Sequence, residues 1–267
     1  MRESPAAPVT LAGVLLAVAV LASTGIFGGT PIWSPDSYRA IEALLSTAAI
    51  ASAIWVVILA GIAGLIVWLW TSRGRSSNRA RSVEWTLTAA IGLDALWFVF
   101  SVAGWVWPAA ITLATLFVVL IVVNRQLDAA PPRDIVEKIV LDGTCGLHLG
   151  WIAMAFTAAI AQAIVHSGTR AGGLGNTIVA VVLLAGVVGL ARLAIPRVRF
   201  FESVLIGILW GLVWLAVARL SGELISVPVA ISAFIAAAAI IVLWMVRDRD
   251  VPRRSRRPGT SRAQRLS

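Results

Sequence analysis

The chain has 267 residues, 59% of them hydrophobic and only 13% charged, with a mean hydropathy of +0.91. No soluble domain of this size hides so much apolar surface, which excludes a water-soluble globular protein and leaves a polytopic membrane protein. A net charge of +9 could suggest nucleic acid, but the basic residues sit between and after the apolar runs, a distribution that reads as topology and not as a nucleic-acid stripe.

Each crossing needs roughly 20 mainly apolar residues. Runs of that kind predict eight spans, at 9–27, 44–71, 83–104, 106–123, 138–165, 175–193, 201–218 and 228–246. The first lacks a small-x-small cleavage site before a soluble region, so it is read as a helix and not as a signal peptide. With the N-terminus in the cytoplasm, every Lys and Arg except Arg39, Arg170 and Arg219 falls in an inside segment. Losing one span would scramble that segregation. The expected fold is therefore an all-α bundle of about eight helices with both termini cytoplasmic.

The connections differ in character. The loop after the first span, GGTPIWSPDSYRAIEAL, carries Pro31, Trp33, Pro35 and Tyr38. It reads either as a lid over a cavity or as an interfacial anchor. The turn GWVWP at 104–108 is so short that spans three and four must form an antiparallel hairpin. AGGLGN at 171–176 resembles a phosphate loop only by glycine content and reads as a turn. The tail from 247 to 267 is too charged to pack and is suited to anionic lipid. Cys145 is the single cysteine, with no intrachain disulfide open to it and no companions at metal-ligand spacing.

Twelve tryptophans sort by depth. Trp33, Trp105 and Trp107 fall at the outer boundary, and Trp68, Trp70, Trp85 and Trp244 at the inner one, an aromatic belt. Trp55, Trp97 and Trp151 lie deeper, at roughly 16, 10 and 20 Å along their helices from the nearer counted end. Asp94 and His148, each about one turn from an indole, fall near the midplane. Ionisable groups there are costly unless they face a cavity or each other, which makes the pair a functional-site candidate. The alternative for His148 is a bond to a carbonyl in a packed bundle. For the three indoles it is separate packing of each ring.

Other polar residues read as structural. Asp142 lies one turn inside the cytoplasmic boundary, within reach of water or Lys138. Glu84 and Glu202 begin spans and favour those helix N-termini. Trp210 and Trp214 share one face of span seven and read as packing residues.

Four patches together resemble the TspO/MBR family, the tryptophan-rich sensory proteins related to the mitochondrial translocator protein. They are Trp33-Ser-Pro35 in the first loop, Ala53-Ile-Trp55, Leu93-Asp94-Ala-Leu-Trp97-Phe98, and Leu147-His148-Leu149-Gly150-Trp151 followed by Ala155. The likeness covers about 9–165. Asp94 stands where that pattern has asparagine, His148 where it has tyrosine, Leu147 where it has proline, and Ala159 where a further asparagine is usual. Spans six to eight have no counterpart in the five-helix members, whereas longer bacterial relatives of similar size exist.

The resemblance implies a five-helix bundle over 1–165 around a cavity for tetrapyrroles or other flat apolar ligands, an added three-helix region over 166–246, and the basic tail. By match to the motifs, Trp55, Trp97 and Trp151 would face the cavity, with Trp33 in its lid; Ala155 counts with them as ligand-binding, and on chemical grounds His148 and Asp94 would orient a polar edge of the ligand. The expected function is a membrane sensor or binding protein with porphyrin or haem as a possible ligand and no required cofactor. A proton-coupled transporter using Asp94 and His148 is the alternative. No nucleophile elbow, Walker-type loop or metal cluster argues for an enzyme. Expected partners are the lipid bilayer and a hydrophobic small molecule, with a homodimer possible and no nucleic acid. The basic tail suggests a bacterial inner membrane.

Overall fold

The computed structural model describes residues 6–26, 31, 43–194 and 200–250, with side chains through Arg247. Among these residues there are eight helices long and apolar enough to cross a membrane, and no strand. They are α1 (Ala6–Ser23), α2 (Ala49–Trp70), α3 (Asn78–Val102), α4 (Val106–Asp128), α5 (Ile135–His166), α6 (Leu174–Ala194), α7 (Phe201–Ser221) and α8 (Val227–Asp250).

The helices begin and end where backbone groups find partners, and these points differ from the hydropathy edges. Ser77 caps α3 by accepting from the Ala80 N–H at 3.1 Å, so the helix starts five residues before the apolar run. Glu84 is therefore interior to α3 and does not sit in its first turn, contrary to the sequence reading. Asp134 caps α5 through the Glu137 N–H at 2.8 Å. The Glu137 carboxylate reaches back to the Arg133 N–H at 2.6 Å, a variant of the capping box. Residues 44–48, read as the start of span two, form a turn instead. Its Ala48 N–H donates to the Trp214 carbonyl at 3.2 Å, which ties the entry of α2 to α7. Gly104, at φ 71°, makes the short hairpin between α3 and α4.

Five helices close a ring in the order α1, α2, α5, α4, α3. The other three are attached mainly through α5, with α7 on α5 and on the first turn of α2, α8 on α7, and α6 on both α8 and α5. The α5–α7 contact is backbone to backbone. Gly150 on α5 faces Gly207 on α7, and one turn to either side Gly146 lies against Ser203 and Gly211 against Met154. A Cβ on Gly150 would overlap the Val204 carbonyl oxygen, and one on Gly207 would lie 2.6 Å from the Leu147 carbonyl oxygen. In a bilayer, where lipid tails are as apolar as leucine, such close approach is a main source of helix association. Trp210 and Trp214 add to it. The rings meet edge to face at 5.7 Å, and the Trp210 Nε1–H donates to the Ala51 carbonyl at 2.8 Å.

Charged residues gather at one end of the bundle, termed the basic end. There Asp142 does not reach water or pair with Lys138. It lies in a π-helical turn of α5, Lys138–Gly143, and pairs with Arg79 of α3. The Arg79 Nη1 and Nη2 donate to the two carboxylate oxygens at 3.0 and 2.6 Å. The same guanidinium donates from Nε and Nη2 to the Leu127 carbonyl, at 3.3 and 2.9 Å, where α4 leaves its last carbonyls without helical partners. Lys138 instead lies 3.8 Å over the Phe200 ring. Of the seven belt tryptophans, Trp70, Trp85, Trp105 and Trp107 are exposed, but Trp68 is buried in the core.

Candidate functional site

The site is built from three helices of the ring. α2 supplies Trp55, α3 supplies Asp94, Trp97 and Phe98, and α5 supplies His148, Trp151 and Ala155. The spacing in α3 and α5 is one turn between the polar residue and its indole, so each pair shares a helix face. Trp55, Trp97 and Trp151 are all buried. Trp55 and Trp97 stack with ring centroids 5.6 Å apart and planes 13° from parallel. Phe98 closes the cluster edge-on to Trp55 at 5.4 Å.

Below the stack, His148 Nε2 lies 3.2 Å from Asp94 Oδ1. The imidazole also packs edge-on against Trp55 at 5.9 Å. Asp94 is completely buried, and its second oxygen, Oδ2, has no hydrogen-bond partner among the described residues. The pairing expected from depth alone is thus present in space. What helical periodicity could not supply is that one carboxylate oxygen is left over.

Toward the end opposite the basic end, four helices of the ring, α2 to α5, line a cavity of about 70 Å³. Trp55, Trp97, Trp151 and Ala155 line it. Asp94 and His148 do not; they lie one layer deeper, behind Trp55. Trp33 falls outside the described residues. The Trp151 Nε1–H is buried without a partner among the described residues, in a wall that also holds Ser46, Thr47 and Gln162. Sequence reading missed those three polar residues, because Ser46 and Thr47 were taken into span two and Gln162 lies in an unbroken apolar run. It also missed the wall from α4, where Ala109, Ala110 and Leu113 carry no distinguishing pattern. The volume is that of a few water molecules. It is well below the roughly 300–1,000 Å³ of a drug-sized ligand site.

Comparison with known proteins bears on the whole chain. No curated protein and no solved structure gives a significant match. A family model described as TSPO-like protein matches residues 7–246, running past 165 through all eight spans. With the helices and the tryptophan cluster in place, that match shows that the chain is an integral, multi-pass membrane protein belonging to the TSPO-like protein family.

Proposed function

We propose that the protein binds a flat apolar ligand, of tetrapyrrole type, in the tryptophan-lined cavity and acts as a membrane sensor for it, in a bacterial inner membrane. The observation that supports this most directly is the meeting of three buried indoles, from α2, α3 and α5, around one cavity. Indoles offer wide apolar faces, and the unpartnered Trp151 N–H with the nearby Ser46, Thr47 and Gln162 can hold a polar edge. At about 70 Å³ the cavity takes a macrocycle only after Trp55 and Trp97 unstack. Binding then inserts the ligand between faces that now cover each other, and the indoles report it directly.

The test is quenching of tryptophan fluorescence by protoporphyrin in the purified protein. The Trp55→Phe, Trp151→Phe double variant is expected to bind at least about tenfold more weakly, a loss near 1.4 kcal/mol. Equal affinity would remove the cavity from consideration.

A second reading, proton-coupled transport of a small solute, draws on the Asp94–His148 contact and on the spare carboxylate oxygen beside it. Paired intramembrane acids and imidazoles suit a proton relay. Proteoliposome uptake that collapses in Asp94→Asn, in a protein whose tryptophans protoporphyrin does not quench, selects this reading over the first.

A further inference from the structure

A second, larger cavity lies outside the ring. It has a volume of about 240 Å³ and is bounded by α4 and α5 on one side and α6 and α7 on the other. Only the second half of α6, from Leu183 to Ala194, forms its wall. Along α5 it reaches from Leu149 to Ile160, about 16 Å of helix. The lining is almost wholly apolar, with the stacked rings of Phe117 and Phe156 at one wall.

Two features say what fits there. The rim on α6 is open: Gly186, Leu190 and Leu193 line the cleft and are themselves exposed, so the surrounding bilayer has lateral access. At the basic end of the cleft stands Arg125, exposed and without a carboxylate partner among the described residues. A long apolar slot open to hydrocarbon, with an exposed guanidinium at its basic end, matches one acyl chain joined to a phosphate.

We infer that the cleft between α4, α5, α6 and α7 is a binding site for an anionic phospholipid, with one chain along α5 and the phosphate on Arg125. The site is separate from the tryptophan cavity and stands whether or not that cavity binds a tetrapyrrole. It makes a lipid part of the joint between the ring and the three added helices. The chain fills a gap that side chains leave open, and the headgroup neutralises a cation at the edge of the hydrocarbon.

The experiment reconstitutes the full chain in nanodiscs of phosphatidylcholine and phosphatidylglycerol. A trace of phosphatidylglycerol or phosphatidylcholine carrying a diazirine on one acyl chain is added, and cross-linked peptides are mapped after illumination. Labelling is expected to concentrate on 149–160 and 183–194. The phosphatidylglycerol probe should exceed the phosphatidylcholine probe by roughly fivefold, as expected for one near-surface charge. Arg125→Gln should erase that headgroup preference. Gly186→Leu should abolish labelling in the cleft, since a side chain there meets nothing within 4 Å and can occupy the slot without strain. Ala153→Leu fills it from the opposite wall and keeps the test open if one variant misfolds. The inference is overturned by labelling spread evenly over exposed positions such as Val56 and Val57, by indifference to headgroup, or by labelling that survives both filling variants. A dimer in the nanodiscs that shields 149–160 and 183–194 from both lipid probes would also overturn it, making the surface a protein interface.

Discussion

Arg79–Asp142 and Asp94–His148 are both buried acid–base pairs joining α3 to α5, yet the protein surrounds them differently. At the basic end, both Asp142 oxygens and four Arg79 N–H groups are bonded, two of the latter to the end of α4. In the middle of the ring, Asp94 makes one contact of 3.2 Å and keeps an unpartnered oxygen, with an indole stack above it. A fully bonded pair in a low-dielectric place fixes geometry and has nothing left to offer a ligand or a proton. A half-bonded pair keeps hydrogen-bonding capacity in reserve at a cost in stability. The ring is pinned at one end and left unsatisfied where the tryptophans gather.

The sharpest way to break that contrast is at the pinned end. Arg79→Ala strands the Asp142 carboxylate in the core and should cost about 3–5 kcal/mol. The measurement is the melting temperature in detergent, or loss of folded protein altogether. Replacing both partners, Arg79→Met with Asp142→Leu, should recover most of that loss, because no charge is then left buried. If the single variant melts like wild type, the pair pins nothing. Next in size is Gly150→Leu, which drives a side chain into the Val204 backbone and should cost about 1–3 kcal/mol by overpacking. Gly186→Ala is the matched contrast. It meets nothing within 4 Å and should be neutral or stabilising by up to about 1 kcal/mol, the helix propensity gain.

The same contrast shows what could be read in advance. Eight spans, the hairpin at 104–108 and the shared level of Asp94 and His148 were legible, because each depends on apolar run length or on 1.5 Å of rise per residue. Arg79 was counted as a topological positive charge, since nothing in its neighbourhood reveals a carboxylate 63 residues away. Asp142 was given to Lys138 because the two are one turn apart, but the π-helical turn between them redirects Asp142 inward. Trp68 sits at the boundary by sequence and in the core by packing, because depth along a helix says nothing about which face is turned to lipid. The glycines of α5 and α7 were visible as letters. Their meaning lay in the partner helix, which a single sequence does not identify.

The smallest expected effect is also the most discriminating. Asp94→Asn preserves the shape of the side chain and leaves an oxygen able to accept from His148 Nε2, and asparagine is the residue that the resembled family pattern places there. It also replaces the unpartnered oxygen with an amide, which brings two donors of its own and so removes none of the bonding demand. The stability change should therefore stay within about 1 kcal/mol. His148→Leu, by contrast, leaves Asp94 with neither oxygen bonded and should cost about 1–3 kcal/mol. Melting curves of the two variants, compared with Arg79→Ala, test the idea that the middle of the ring is not braced by charge. Were Asp94→Asn as damaging as Arg79→Ala, the charge on Asp94 would itself be holding α3 to α5. The two pairs would then be alike, and the reserve capacity attributed to the middle of the ring would not exist.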